Sequence, residues 1–399
     1  MSCRHCISRL VLTAACLSVL PACSYVEGLE LGAWRDGFGR QAATEAPPPA
    51  AATPDPAVPR SAPLLTRHYE GVAPDTEVLG TVQAVFARHE NTFVQIAREY
   101  NLGYNELRQA NPGVDVWLPG EGTPVYLPTM TIVPDAPRDG IVLNLPSMRL
   151  LYFAAEDASE AQEDATLSIT SHPIGIGREG WATPTGVAEV TGKARDPVWY
   201  PPASVRAEHA ELGDPLPSVV SAGPENPLGA FAMGLSMPGY LIHGTNMPAG
   251  VGMRVSHGCI RLYPEDIEAL FERVPSGTPV RIIDEPVLAG WRDGELFLEV
   301  HEPLAEDDRD LTELAEQTIA AAFERAGAEA VPVDPELIAR LVSERRGIPF
   351  PVLSPEPDIE AYLASVRVVE NTIPLAVAGT TASNELVRRE IDGEPIEAP

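Results

Sequence analysis

Residues 240–262, YLIHGTNMPAGVGMRVSHGCIRL, set the tightest limit on what this chain can fold into. They hold His243, His257 and Cys259 within 17 residues, among glycines, with no Asp or Glu between Asn226 and Tyr263. His243 follows a short apolar strand, 239–242, and meets the cysteine only if the chain folds back across 244–252. His257 stands two residues before Cys259, so in an extended segment it shares the thiol's face. Spacing alone does not choose between the two histidines. The fold must deliver one of them to the sulfur.

The need for a histidine is chemical. A thiol attacks a carbonyl as thiolate, and a free cysteine ionises only near pH ~8.5, so an adjacent imidazole must take its proton. The backbone amides of Gly258 and Cys259 carry no bulky neighbours and offer oxyanion donors. The competing reading is zinc on His243, His257 and Cys259. Zinc sites draw on carboxylates that orient their ligands, and this stretch has none; no metal and no cofactor is expected.

The cysteine count supports a reactive thiol. Arg4 and Arg9 precede an apolar run at 10–20, too short to span a bilayer, and then Leu20-Pro21-Ala22-Cys23. This is an export signal over 1–23, and it resembles a bacterial lipobox with Cys23 as the acylated residue. Cys3, Cys6 and Cys16 leave with the signal. If Cys23 carries lipid, Cys259 has no disulfide partner, and a lone thiol in an exported protein points to reactivity. The expected location is the periplasm, at a membrane, with Ser24 favouring the outer one.

Charge excludes one class of partner. A formal net charge of -29 argues against nucleic acid, whose phosphates need clustered Lys and Arg.

In chain order, 24–79 reads as a Pro/Ala-rich linker, centred on APPPAAATPDPAVPRSAP. Residues 80–128 read as a small βααβ unit: a strand at 81–85, a helix with an apolar stripe at Phe93, Ile96, Ala97 and Tyr100, a second helix at 104–110, and strand residues at 117–119 and 125–127. Asn91 or Thr92 caps the first helix. Residues 139–284 read as one β-rich domain. A hairpin pairs 141–145 with 149–153 across Pro146-Ser147-Met148, and strands follow at 166–169, 174–176, 187–191 and 280–283. A helix over 264–274 has Pro264 in its first turn. Residues 285–399 form an acidic C-terminal extension, partly helical at 311–326 and 334–346 and partly disordered toward the end, with no chemistry-bearing motif.

The motifs carry two resemblances. Thr92-Phe93, Ile96-Ala97, Tyr100-Asn101-Leu102, Leu107, Ala110-Asn111-Pro112 and Leu118-Pro119 resemble the LysM module, which binds glycans such as peptidoglycan. His243-Gly244-Thr245 with Ser256-His257-Gly258-Cys259-Ile260-Arg261-Leu262 is similar to the signature of the L,D-transpeptidase catalytic domain, the YkuD family. Pro173-Ile174-Gly175-Ile176-Gly177, Trp181 to Gly186, and the stretches DPVWYPP and NPLG are similar to its ErfK/YbiS-like branch. The resemblance implies a mainly β chain: a YkuD-type β-sandwich with a short helix after the cysteine loop, preceded by the βααβ module and followed by the α-containing tail.

It also implies roles. Cys259 would be the nucleophile and His243 the base, oriented by the carbonyl of Gly244. His257 and Arg261 would support the loop and hold a substrate carboxylate, with Ser256, Gly258 and Tyr240 as supporting residues. The donor would be a peptidoglycan tetrapeptide stem, with D-Ala released and the acyl group passed to an amine of a second stem or of an outer-membrane lipoprotein. Carbapenems would acylate the same thiol. A thiol hydrolase on the same fold (a carboxypeptidase or amidase) and a non-catalytic peptidoglycan-binding lipoprotein are the alternatives.

Overall fold

The computed structural model describes residues 67–155, 166–355 and 357–374. The signal segment, Cys23, most of the expected linker and the end of the acidic tail lie outside the described residues.

The chain is mainly β. Among the described residues nine strands form one curled sheet: β1 Arg67–Val72, β2 Gly140–Asn144, β3 Arg149–Ala155, β4 Leu167–Pro173, β5 Gly186–Arg195, β6 Phe231–Leu235, β7 Leu241–His243, β8 Ile260–Arg261 and β9 Pro279–Ile283. Their spatial order is β1-β4-β3-β2-β9-β5-β6-β7-β8. The expected hairpin is β2 with β3, in register from Gly140↔Phe153 to Asn144↔Arg149, with Met148 at positive φ in the turn. Ile141-Val142-Leu143 reads as an unbroken apolar run because both faces are covered. Ile141 and Leu143 enter one core, and Val142 enters a second with Leu151, Phe153 and Ile169.

The curl arises in β5. Its first half pairs with β9 and its second half with β6, with a register shift between Val190 and Gly192. A bulge there bends the strand and turns the sheet. The larger core collects residues from both halves, including Val280 and Ile282 on one side and Met233, Ile242 and Ile260 on the other.

Among the described residues there are seven helices, in chain order α1 Phe93–Glu99, α2 Tyr104–Ala110, α3 Ala203–Glu211, α4 Pro264–Arg273, α5 Leu311–Ala326, α6 Pro335–Glu344 and α7 Ile359–Ser365. Helix α4 follows the cysteine loop and buries Ile267, Leu270 and Phe271 in the larger core. Helix α1 starts on a capping box: the Thr92 hydroxyl accepts from the Gln95 amide, and the Gln95 side chain accepts from the Thr92 amide. With α2 it covers Val85, Val125 and Leu127 of the paired strands Gln83–Phe86 and Pro124–Leu127.

Four expectations need correction. The linker ends earlier than 79, because Arg67–Val72 is an edge strand paired with β4, with Tyr69 opposite Ile169, and Val78–Gly80 pairs with Met130–Ile132. Residues 117–119 are not strand; the Asp115 carboxylate accepts from the amides of Trp117 and Leu118 and makes a turn. The acidic extension is not only helical: Val287–Arg292 and Glu295–Val300 form a hairpin, joined by Phe350–Pro351 and roofed by α5 and α6. Within the stretch expected to include disorder, α7 is followed by Arg367–Val369, which adds a third, parallel strand to the βααβ unit beside Gln83–Val85.

The βααβ unit is fastened to the nine-stranded sheet and α4 through buried polar groups. Arg149 of β3 grips Glu106 of α2 through Nε at 2.9 Å and Nη2 at 2.6 Å. Asn101 donates to both oxygens of Asp266 on α4, at 2.8 and 3.0 Å, and His172 of β4 stands 3.3 Å from the same carboxylate. Tyr263 donates to the Leu102 carbonyl at 3.0 Å. Most of these buried groups are paired across the seam, while Asn101 Oδ1 and His172 Nδ1 have no hydrogen-bond partner among the described residues.

Candidate active site

The fold delivers His243 to Cys259 through a parallel strand pair. β7 and β8 pair with Ile242 opposite Ile260 and His243 opposite Arg261. Alternation then puts Leu241, His243, Cys259 and Arg261 on one face, and Ile242, Ile260 and Leu262 on the other, fully buried in the larger core. The return of the chain across 244–253 is braced from the βααβ unit. The amides of Tyr104 and Asn105, at the start of α2, donate to the carbonyls of Val251 and Gly252 at 3.2 and 3.1 Å. Gly252 has φ 81°, and a Cβ there would lie 2.2 Å from the Gly103 Cα. Only glycine fits so close an approach of two backbones.

His243 is buried, and its Nδ1 is 2.6 Å from the Gly244 carbonyl oxygen. A carbonyl only accepts, so Nδ1 carries the proton and Nε2 keeps a lone pair. Burial, helped by the nearby Arg261 charge, pushes its pKa down to about 3 against the pull of the Gly244 bond. His243 is therefore neutral at neutral pH, a base with its lone pair free of a proton. Cys259 is half-buried, and its thiol donates weakly to the Gly239 carbonyl at 3.7 Å. Burial pushes its pKa up, while a backbone hydrogen bond at Leu241 and the Arg261 charge pull it down. Both shifts favour the uncharged forms, thiol and imidazole.

The turn around the thiol is rigid. Ser256 donates to the Cys259 carbonyl at 2.6 Å and accepts from the Gly258 amide at 3.2 Å. That bond engages the Gly258 amide, and the Cys259 amide is the other candidate oxyanion donor. The Thr183 hydroxyl donates to the Gly258 carbonyl at 2.9 Å and fixes the Gly258–Cys259 peptide plane. Gly258 has φ 103°, and a Cβ there would stand 2.9 Å from the Tyr240 ring. Tyr240 thus acts as a wall against the turn. Arg261 is locked in place by paired backbone bonds with Gly175 at 2.8 and 2.9 Å.

His257 faces elsewhere. Its Nε2 is 3.0 Å from Glu208 Oε2 of α3 and 3.2 Å from Arg178 Nη2, and the Trp181 ring meets it edge-on at 4.9 Å. The two histidines left open by spacing thus separate: His243 shares the face of Cys259 on the adjacent strand, and His257 belongs to a neighbouring cluster. Among the described residues, no group of three or more His, Cys, Asp or Glu side chains is arranged to hold a metal ion. Glu208, Arg178 and Thr183 were not singled out in the sequence. Arg178 and Thr183 flank or fall within the motif at 173–186, but Glu208 lies 49 positions from His257 with no local signal.

Residues 138–282 match the L,D-transpeptidase catalytic domain, YkuD. The chain is 41% identical over 262 residues to "Probable L,D-transpeptidase YcfS" of Escherichia coli K12, covering 64% of this chain and 79% of the relative. The chain belongs to the L,D-transpeptidase family. It is also 43% identical over 234 residues to "Probable L,D-transpeptidase YbiS" of the same organism, with 58% and 73% covered. The match to "Probable L,D-transpeptidase ErfK/SrfK" of Salmonella typhimurium is 46% over 211 residues, with 52% and 65% covered. The L,D-transpeptidase similarity to YcfS runs longer than the 138–282 catalytic segment, so it takes in part of the flanking structure.

Proposed function

We propose that the protein is a periplasmic, lipid-anchored L,D-transpeptidase that acts on peptidoglycan stem peptides through Cys259. The observation that carries this reading is the strand pair that sets neutral His243, held by the Gly244 carbonyl, on the face of Cys259. His243 Nε2 takes the thiol proton as Sγ attacks the carbonyl carbon of the stem's third residue. The Cys259 amide stabilises the oxyanion. The bond to the terminal D-Ala breaks, and the departing amine takes the proton back from His243. The thioester then meets an acceptor amine, which loses its proton to His243, and the thiol is restored. No cofactor enters these steps. The acceptor is a second stem or a lipoprotein lysine, and the βααβ unit serves as the glycan contact that keeps the enzyme on its polymer.

The test is mass spectrometry of the full chain, purified in detergent and incubated with a disaccharide-tetrapeptide, with Cys259→Ala alongside. The expected products are free D-Ala and a cross-linked dimer, both absent with the variant. Tripeptide and D-Ala alone, unchanged when a lysine-bearing acceptor is added, would make the protein a hydrolase. No product, and no mass increase with a carbapenem, would remove the thiol mechanism.

A further inference from the structure

The catalytic-domain match ends at residue 282, and the extension beyond it returns to the cysteine segment. After the hairpin of Val287–Arg292 and Glu295–Val300 the chain is fastened at several points. Glu302 accepts from Arg108 of α2 at 3.3 Å. Leu304 packs against the larger core. Both Nη atoms of Arg309 donate to the Asp284 carbonyl at 3.1 Å, and Nη2 pairs with Asp307 at 2.6 Å. Between these anchors lies Glu306, whose two oxygens accept from Arg254 Nη2 at 2.8 and 3.1 Å. The Arg254 hydrogen bonds hold the Glu306 carboxyl below the usual glutamate range, so the pair is charged at neutral pH.

Arg254 opens the short strand Arg254–Ser256, which runs into the cysteine turn and pairs in parallel with Ile176–Gly177. Segment 175–178 lies between the two legs of that turn. The amides of Ile176 and Arg178 donate to the Met253 and Ser256 carbonyls, both at 3.0 Å, on the leading leg, and Gly175 pairs with Arg261 on the trailing one. Arg254 Nε donates to the Gly177 carbonyl at 3.2 Å. The Gly177 amide donates to Thr183 Oγ1 at 2.9 Å, and the same hydroxyl donates to the Gly258 carbonyl. A Cβ at Gly177 would stand 2.0 Å from the Trp181 carbonyl oxygen, so the turn that brings Thr183 presses on a bare backbone. The bonds form a line from the extension inward: Glu306, Arg254, Gly177, Thr183, Gly258. It ends on the peptide whose N–H, that of Cys259, is a candidate oxyanion donor.

We infer that Arg254 is a positioning residue for acyl transfer, and that the C-terminal extension, through Glu306, helps aim the Cys259 amide at the oxyanion. The inference rests on the transpeptidase reading and goes beyond it, because it gives a role in the reaction to a segment outside the matched domain. An oxyanion donor is effective only when it is aimed before charge develops. A peptide unit is planar, so whatever holds its carbonyl also aims its N–H. Gly258 has φ 103°, and glycine is free on both sides of zero, so its own backbone does not hold the plane. Thr183 holds it, and Gly177 holds Thr183. Arg254 ties Gly177 to a group outside the turn. Its side chain is 19% exposed against 43% for Glu306, so the line becomes drier toward the thiol. Arginine suits the task, since one rigid fork presents Nε and Nη2 to two different acceptors.

The test follows D-Ala release from a tetrapeptide stem by the full chain in detergent. Wild type is compared with Arg254→Ala, Arg254→Lys, Glu306→Gln, Thr183→Val and the double variant Arg254→Ala with Thr183→Val, each rate normalised to reactive thiol. Deleting an oxyanion donor outright costs ~100–1,000-fold in kcat, and loosening one costs less. Arg254→Ala therefore lowers kcat about tenfold with KM within about twofold, the pattern of an interaction made only in the transition state. Arg254→Lys recovers part of the loss. Glu306→Gln lowers kcat about two- to threefold, because its end of the line is exposed. The double variant is within about twofold of Thr183→Val alone, since both changes act on one peptide plane. Losses that multiply, a rise in KM alone, or an unchanged kcat in both Arg254→Ala and Glu306→Gln overturn the inference. Should Arg254→Ala fail to fold, Arg254→Lys and Glu306→Gln decide by the same split of kcat from KM. A wild type that releases no D-Ala sinks the transpeptidase reading and this inference with it. An active wild type whose kcat ignores Arg254 sinks this inference alone.

Discussion

Helices α2 and α3 both reach the segment that carries Cys259. Helix α2 does so through the backbone of Val251 and Gly252, and α3 through the side chain of His257. On the α2 side the contacts are buried and polar: Glu106 with Arg149, Asn101 with Asp266, Tyr263 with Leu102. On the α3 side they are part-exposed and rest on one carboxylate. The same kind of interaction, an arginine holding a glutamate, is buried on the α2 side and part-exposed on the α3 side. The difference is solvent, because water competes for an exposed ion pair and cannot reach a buried one.

The sharpest way to break that comparison is to remove the carboxylate on each side. Glu106→Ala strands the Arg149 guanidinium, 3% exposed, and frees the Gly103 amide that Glu106 accepts from at 2.9 Å. Removing one partner of a buried pair costs ~3–5 kcal/mol, so urea unfolding should show a large fall in midpoint. Glu208→Ala, on the exposed side, should change stability by less than about 1 kcal/mol. Equal losses would mean that α3 is as firmly docked as α2. A smaller but still marked effect is expected of Gly252→Ala, which forces a side chain into positive φ at ~1–2 kcal/mol and against the Gly103 backbone. Its thermal midpoint should fall, and carbapenem acylation of Cys259 should slow with it, because the loop that returns the chain from His243 shifts.

The same contrast separates the two histidines by pH. His243 has its pKa pushed down to about 3 by burial, against ~6.5 in the unfolded chain. Above pH 6.5 neither state holds the proton. Between 6.5 and 3 the unfolded state holds a proton that the native state lacks, so stability falls as pH falls, by up to ~1.4 kcal/mol per pH unit. His243→Gln should flatten that slope in urea titrations between pH 6.5 and 4. His257 is shifted down by burial but supported by Glu208, so His257→Gln should flatten it less. Carbapenem acylation should show no inflection near 6.5, since His243 stays a free base throughout that range; an inflection there would assign the proton to another group.

Legibility in the sequence follows the same division. Helix α2 and the β2–β3 hairpin were readable because burial imposes a period: Tyr104, Leu107 and Ala110 on one stripe, Ile141 to Leu143 as a doubly covered run. The β7–β8 face was half readable. The strand before His243 was visible, but its parallel pairing with 260–261, which chooses His243 over His257, is a long-range fact. Helix α3 left no apolar stripe to find, since Val205 is its one buried residue. Glu208 was therefore invisible, and the absence of acids between 226 and 263 misdescribed a site that imports one from 208. The hairpin at 287–300 did carry its signal. Asp293-Gly294, with φ of 53° and 82°, is a two-residue turn between apolar runs. It was hidden only by the acidic composition around it.

The finest test of the comparison asks how the two helices open rather than what they cost to break. Amides of α2 sit over Leu107 and Ala110, both fully buried, and behind the Glu106–Arg149 pair. Opening them means exposing that core, so they should exchange with solvent only on large-scale unfolding. Amides of α3 need only release Glu208, so they should exchange at least about tenfold faster in native hydrogen exchange read by mass spectrometry. Glu208→Gln should speed α3 further and leave α2 unchanged. If α3 exchanges as slowly as α2, the excursion between β5 and β6 is a fixed wall of the site.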